Sequence, residues 1–143
     1  MATEVLLVED NPGDVRLTKE AFFSVNPYIR ISVARDGAEA LTFLHQTGAH
    51  SQAPRPDLVL LDLNLPRLKG HEVLCHMKGD ALLRSIPVVI LTTSTNPVDI
   101  ATSYELQANC YLQKPEEWGA FQNLVRSLND FWITHAILPN RPE

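Results

Sequence analysis

The sequence of 143 residues is poor in cysteine and in basic residues, and it has no long apolar run. Its two cysteines, Cys75 and Cys110, lie far apart without histidines at zinc-ligand spacing, so no zinc site is expected there, and both are expected to be buried thiols. A net charge of -5 argues against non-specific binding of nucleic acid. No segment approaches the length of a membrane span, and the N-terminus lacks the charged and apolar regions of a signal peptide.

Hydrophobic residues make up 45% of the chain, which is typical of a globular protein with a real core. The length fits one domain, and we expect residues 1–143 to form a single cytoplasmic unit. No repeat, low-complexity tract or interdomain linker interrupts it.

Five apolar segments alternate with segments of helical periodicity. The proposed strands centre on residues 5–8, 29–33, 57–61, 88–91 and 111–112. Such alternation predicts an α/β fold with a mostly parallel sheet and helices on both faces. The flavodoxin-like strand order 2-1-3-4-5 is one of the two common doubly wound arrangements.

Polar side chains follow four of these strands at their C-terminal ends. They are Glu9 and Asp10 after the first strand, Asp62 after the third, Thr92 after the fourth and Lys114 after the fifth. Ligands of open α/β sheets bind at that edge, where three crowded carboxylates favour a hard cation such as Mg²⁺. A carboxylate, a cation, a hydroxyl and a lysine are together the groups that formation of an acyl phosphate requires.

The residues around these positions resemble the receiver domain of bacterial two-component response regulators. The matching motifs are Val8-Glu9-Asp10-Asn11, Leu61-Asp62-Leu63-Asn64-Leu65-Pro66 with Gly70, Leu91-Thr92-Thr93-Ser94 and Lys114-Pro115. The resemblance covers about residues 4–131, which leaves a C-terminal extension of about 132–143. Lys69 departs from the family, many members of which carry an acid before the glycine.

The resemblance implies a role for each residue of the motifs. Asp62 would be the phosphoacceptor, and the Mg²⁺ ligands would be Glu9, Asp10, Asp62 and the backbone carbonyl of Asn64. Thr92 and Lys114 would contact the phosphate, and Thr92 and Tyr111 would form the conformational switch. A cis peptide bond at Lys114-Pro115 is also implied. The resemblance also implies that the chain is a signalling protein, not an enzyme, and that it would catalyse its own phosphorylation and dephosphorylation.

Further segments resemble the small stand-alone regulators that pair with cyanobacterial and other bacterial phytochrome histidine kinases. These segments are 10–14, 50–56, 103–106, 109–112, and the tail with Phe131, Trp132, Leu138 and Pro139. The resemblance implies a light-sensing kinase as phosphate donor, a downstream protein partner and a tendency to dimerise. With about a dozen residues after the receiver, signalling is expected to use protein contacts or phosphate relay.

Three other functions compete with this interpretation. A haloacid-dehalogenase-like phosphatase would need a second Asp where Asn64 stands, because Asn cannot shuttle a proton. A pseudo-receiver would have lost some of the site residues, which are all present. A nucleotide-binding flavodoxin relative would need a glycine- or hydroxyl-rich phosphate loop after the first strand, where Glu9 and Asp10 would repel phosphate unless a metal intervened.

Apolar residues continue beyond the part of the chain that the fold requires. They cannot all lie on one face of a helix, because neighbours are separated by about 100°. We therefore predict a homodimer formed by the fourth helix, the fifth strand, the last helix and the tail, with Tyr104, Leu106, Phe131, Trp132 and Leu138 at the interface. The alternative is a tail that packs on its own domain.

Overall fold

The computed structural model describes residues 2–139, which form five parallel strands and the helices that connect them. The strands are β1 (Glu4–Val8), β2 (Arg30–Ala34), β3 (Leu58–Leu61), β4 (Val88–Thr92) and β5 (Cys110–Gln113). The helices are α1 (Pro12–Val25), α2 (Gly37–His45), α3 (Gly70–Gly79), α4 (Pro97–Glu105) and α5 (Trp118–Leu128). A 3₁₀ turn at Gly48–His50 precedes β3, and a π-helical segment at Asn129–His135 follows α5.

The sheet has the order β2-β1-β3-β4-β5, which confirms the predicted doubly wound topology. Alternate residues of each strand point to opposite faces, because side chains in a strand alternate with a period of two. In β1, Leu6 and Val8 pack against α2 and α3, whereas Val5 and Leu7 pack against α1 and α5. Two apolar cores therefore hold the strands from both sides.

Side-chain caps start most of the helices. Asn11, Asp36 and Asn96 each accept a hydrogen bond from a backbone N–H in the first turn of the following helix. Glu117 does the same at α5, where it accepts from two N–H groups. Such caps satisfy backbone N–H groups that a helix cannot pair internally. They also fix the start of each helix close to the end of the preceding strand.

Two glycines let backbones approach near the end of β3. A Cβ atom on Gly70 would lie 2.3 Å from the Asp62 carbonyl oxygen, and one on Gly37 would lie 1.9 Å from the Leu68 carbonyl oxygen. The loop between β3 and α3 is thus held between the first residues of α2 and α3, and this loop carries Asn64.

The structure corrects two predictions about the chain. Cys75 is exposed and Cys110 is half-buried, because Cys75 lies on the solvent side of α3 while Val73, Leu74 and Met77 face the core. The Lys114–Pro115 bond is trans, as are all peptide bonds of residues 2–139. Before proline, the trans isomer is lower in energy by about 0.5–1 kcal/mol. With the trans bond, the Lys114 ammonium still donates a hydrogen bond to Asp62.

Candidate functional site

Hydrogen bonds between strands bring the predicted site residues to one edge of the sheet. The Asp62 N–H donates to the Val8 carbonyl at 3.1 Å, and the Lys114 N–H donates to the Thr92 carbonyl at 2.7 Å. Because the strands are parallel, their C-terminal ends coincide, and the residues that follow them meet in one crevice.

Asp62 lies at the centre of this crevice and is only 8% exposed. Its Oδ1 accepts from the Thr92 hydroxyl at 2.9 Å and from the Asn64 N–H at 3.1 Å. Its Oδ2 accepts from Lys114 Nζ at 3.1 Å. Each oxygen is oriented by a group from a different part of the chain, so the carboxylate is fixed in place.

Lys114 is 9% exposed and connects the carboxylates. Its ammonium also donates to Glu9 Oε1, and it approaches Asp14 Oδ2 at 3.4 Å. Burial acts to lower the pKa of Lys114, but the hydrogen bonds and negative charges of Glu9 and Asp62 outweigh it, and the pKa is raised. Lys114 therefore stays charged at neutral pH.

Burial changes the acidity of Glu9. Burial raises its pKa from 4.5 to about 7, and the charge of Asp62 adds to the increase, while Lys114 and the Asn11 N–H partly oppose it. A buried carboxylate with one shared cation is poorly solvated, which favours its neutral form.

The acid pair and Asp62 form a group suited to a divalent cation. Carboxylate oxygens of Glu9, Asp10 and Asp62 lie within 4.8 Å of one another, with Asp10 exposed to solvent. All three are hard oxygen donors, and one open side leaves room for the waters that Mg²⁺ retains. The residues present thus fit a divalent metal, while the Asn64 carbonyl as an additional ligand stays a prediction.

Hydrogen bonds connect one of the predicted switch residues, Tyr111, to α4 and to the loop between β4 and α4. The Tyr111 hydroxyl donates to the Ser94 carbonyl at 2.9 Å, and the Ser94 hydroxyl donates to Asp99 at 2.6 Å. The Tyr111 N–H donates to the Tyr104 hydroxyl oxygen at 3.1 Å. Thr92 is fully buried and already bonded to Asp62, so its hydroxyl faces the site before any phosphate is added.

Sequence reasoning missed Asp14 as a neighbour of Lys114. The signal was available, because Asp14 is in the first turn of α1, and the N-cap of that helix, Asn11, directly follows the acid pair. It also missed Ser94 and Asp99 as partners that orient Tyr111 and α4, because neither belongs to the acidic pattern.

The predicted interface residues do not share one environment. Tyr104 is 49% exposed and Phe131 is 59% exposed, whereas Leu106, Trp132 and Leu138 are half-buried. Leu106 and Trp132 each pack partly against a core of their own domain. Part of the extension therefore covers the domain, and part of it faces solvent.

Comparison with known proteins decides the family. A sequence model described as the response regulator receiver domain matches residues 5–126. The chain belongs to this family. It is a receiver that accepts a phosphoryl group on an aspartate, and its family binds a divalent metal. No helix within residues 2–139 is long and apolar enough to cross a bilayer.

This receiver is similar to regulators from cyanobacteria. It is 43% identical to the response regulator Rcp1 of Synechocystis sp. over 135 residues, which cover 94% of this chain and 92% of Rcp1. The structure of the phosphorylated cyanobacterial phytochrome response regulator RcpA superposes with a TM-score of 0.94 at 43% identity, covering 98% of this chain and 100% of RcpA. The Mn²⁺-bound form of Rcp1 gives 0.91 at 42% identity, covering 96% and 99%.

Proposed function

We propose that Asp62 is the phosphoacceptor of this receiver and that Mg²⁺ is its physiological metal, held by Glu9, Asp10, Asp62 and the Asn64 carbonyl. The observation that carries the proposal is the environment of Asp62: Lys114 donates to one carboxylate oxygen, and Thr92 and the Asn64 N–H donate to the other. Within the cluster, Asp62 is the acid that accepts hydrogen bonds from both a hydroxyl and an ammonium group.

The reaction is a phosphoryl transfer from a phosphohistidine. A carboxylate oxygen of Asp62 attacks phosphorus, a P–O bond forms, and the P–N bond breaks with its electron pair leaving on the imidazole, which takes up a proton. The Lys114 ammonium offsets negative charge on the transferring oxygens, and the Thr92 hydroxyl donates to the phosphate afterwards. A divalent cation bound at the acid pair supplies further charge compensation. Attack of water on phosphorus later breaks the P–O bond to Asp62, releases inorganic phosphate and returns the free carboxylate, and the proposal includes catalysis of both steps by the receiver's own residues.

The proposed donor is a histidine kinase of the bacterial phytochrome class. The similarity to RcpA and Rcp1 supports this pairing. A cleft of about 340 Å³ between α1 and α5 supports kinase docking, because it runs from Lys114 to the exposed side chains of Leu17 and Trp118. An apolar cleft beside the acceptor would hold the histidine-bearing segment of the kinase while the phosphoryl group crosses.

The proposed oligomer is a homodimer through α4, β5, α5 and the extension. Exposed Tyr104 and Phe131 support it, as does a groove beside Leu112 and Leu124 that ends at Phe131 and Trp132. Exposed apolar surface of this kind usually marks an interface, and two-fold pairs are the commonest oligomers.

Phosphate transfer to an Asp62→Asn variant tests the assignment. The variant keeps the side-chain shape and loses the nucleophile, so labelling by a phosphorylated phytochrome kinase should fall to background, and EDTA should stop labelling of the wild type. Asp14→Asn is the matched control, because Asp14 also lies near Lys114 but has no contact with the Thr92 hydroxyl. Wild-type labelling of Asp62→Asn, with the same sensitivity of the label to acid and base, would refute the assignment.

A further inference from the structure

Two histidines on neighbouring helices meet away from the phosphorylation site. His45 is the last residue of α2, and His76 lies near the C-terminal end of α3. Their Nε2 atoms are 2.7 Å apart, and the two rings are perpendicular with centroids 5.0 Å apart. A contact this short requires a proton on one nitrogen and a lone pair on the other. Both nitrogens are thus directed at one point between the helices.

A carboxylate stands beside this point. Asp80, the C-cap residue of α3, has its Oδ2 atom 3.9 Å from His45 Nε2. Its Oδ1 accepts from the Leu82 N–H at 2.8 Å, which holds the carboxylate at the end of the helix with Oδ2 on the histidine side. The nearby Lys78 ammonium donates to the carbonyls of Arg84 and Ile86 and does not fill the position.

These three ligand atoms lie within 4.8 Å of one another. Two nitrogens bound to one Zn²⁺ at about 2.0–2.1 Å lie roughly 3.4 Å apart in a tetrahedral arrangement. The histidines must therefore separate by a fraction of an ångström, and the carboxylate must approach by a similar amount. Both rings are exposed side chains near helix ends, where such rotations meet little packing resistance.

We propose that His45, His76 and Asp80 form a second metal site, which binds a transition-metal cation of the Zn²⁺ class. Two imidazoles select such cations over Mg²⁺, which prefers oxygen ligands. Solvent at this exposed position supplies the fourth ligand. The site is chemically distinct from the all-oxygen group of Glu9, Asp10 and Asp62, so the two can be occupied by different ions.

Occupation of the site would join the ends of α2 and α3. The ion replaces the single proton between the two rings with three bonds to the protein, and a ligand that binds only the folded state raises its stability. The expected signature is a melting temperature that rises with Zn²⁺ at a concentration where Mg²⁺ alone has already saturated its own site.

The test is a Zn²⁺ titration of the full chain in excess Mg²⁺, followed by calorimetry and by the ring C–H signals of the histidines in NMR spectra. We expect one ion per chain, with the signals of His45 and His76 shifting together. His45→Gln and His76→Gln should each weaken binding by about tenfold or more. Asp80→Asn, which keeps the acceptor for Leu82, should weaken binding as well.

Two control variants separate this site from other Zn²⁺ ligands. His50→Gln removes a histidine that contacts Glu39 instead, and Cys75→Ser removes the exposed thiol next to His76 in the chain. Both should bind Zn²⁺ as the wild type does. The proposal is overturned if the wild type binds no Zn²⁺ under these conditions, if His45→Gln and His76→Gln both keep full affinity, or if Cys75→Ser abolishes binding. The NMR titration of the wild type remains decisive if a variant fails to fold.

Discussion

Lys114 lies against three carboxylates, and its charge is what permits them to approach one another. Removing the ammonium leaves Glu9 and Asp62 buried without a cation. Breaking such a buried pair commonly costs several kcal/mol, although protonation of Glu9 can relieve part of the repulsion.

We therefore expect Lys114→Met to lower the free energy of unfolding of the metal-free protein by about 2 kcal/mol. Mg²⁺ should restore part of the loss, because a divalent cation also neutralises the acids. Denaturant unfolding with and without Mg²⁺ measures both effects. Lys69→Met, at an exposed lysine, is the control and should change stability little. Equal stability of Lys114→Met and wild type without metal would contradict the electrostatic role of Lys114.

Glu9 should make metal binding depend on pH near neutrality. With a pKa of about 7 in the metal-free protein, Glu9 holds a proton that a cation must displace at lower pH. The apparent Mg²⁺ affinity should thus fall roughly tenfold between pH 8 and pH 6.

The same shift makes the stability of the metal-free protein depend on pH. Folding favours the neutral form of Glu9, so the contribution of Glu9 to stability is complete below pH 4.5 and is lost as the pH rises through about 7.

Titration of Mg²⁺ across this pH range provides the measurement. Glu9→Gln should bind the ion more weakly at pH 8 and should lack the pH dependence. An affinity of the wild type that is constant between pH 6 and pH 8 would show that Glu9 is already ionised.

Among the secondary-structure elements, α3 sets the position of the loop after Asp62. Gly70→Ala would bring a Cβ atom against the backbone of Asp62 and Leu63, so the loop that holds Asn64 must move. A displacement of about 1 Å at a reacting group can reduce a rate by about 100-fold. We therefore expect the phosphorylation rate of Gly70→Ala to fall by about tenfold or more.

Gly79→Ala is the matched control at the other end of the same helix. A Cβ atom there meets nothing within 4 Å, and alanine is the better helix former. Rates of labelling by acetyl phosphate or a phosphorylated kinase compare the two variants. Similar rates for Gly70→Ala and Gly79→Ala would show that the loop tolerates the shift.

The elements β4 and β5 carry the predicted switch. Thr92 is bonded to Asp62, and Tyr111 is bonded to the loop after β4 through Ser94. Phosphate on Asp62 should accept a stronger hydrogen bond from the Thr92 hydroxyl. Contacts made only in the phosphorylated state should then shift the population of Tyr111 side-chain conformations.

Thr92→Ala should accept phosphate but transmit the change poorly. NMR spectra with and without beryllofluoride, a phosphate mimic, report on Tyr111 in each variant. Thr92→Ser keeps the hydroxyl and should behave as the wild type. Equal Tyr111 shifts in Thr92→Ala and wild type would exclude a role for this hydroxyl in the switch.

At the scale of the whole molecule, the extension is attached to the domain before it reaches solvent. Asn129 is buried and its Oδ1 accepts from the Asn26 side chain at the end of α1, at 3.1 Å. The π-helical segment then ends with the Ala136 N–H donating to the Phe131 carbonyl at 2.7 Å. Truncation after Asn129 keeps the amide pair but removes Trp132, which packs on the core, so a point variant tests association more cleanly.

Phe131→Asp should weaken a dimer by about tenfold or more while leaving the fold intact, because the ring is exposed. Sedimentation equilibrium at micromolar concentration, with and without beryllofluoride, measures the change. Phe23→Asp is the control, because Phe23 is a similarly exposed ring on α1, outside the proposed interface. A monomeric wild type under both conditions would leave the extension with a role in its own domain alone.

The strands and the meeting of Glu9, Asp10, Asp62, Thr92 and Lys114 were predictable from the sequence, because local patterns mark the strand ends and alternating strands and helices favour a parallel sheet. Apolar runs ending in Glu9-Asp10 and Asp62 define strand ends, and parallel topology brings those ends together. The approach of Asp14 to Lys114 depends on how α1 begins, and the meeting of His45 with His76 depends on how two helices pack. The isomer at Pro115 was predicted wrongly, because family resemblance, not a local pattern, was its basis.

Tyr104 also affects how the sheet ends. β5 is an edge strand, and edge strands expose backbone donors and acceptors that another chain can extend into a longer sheet. The Tyr111 N–H, one of those donors, already donates to the Tyr104 hydroxyl oxygen. This N–H is therefore not free to pair with an added strand. The proposed homodimer can then form at this side through side chains, without strands adding to the sheet to build fibres. Tyr104→Phe, which keeps the ring and opens the edge, should aggregate faster on heating than the wild type.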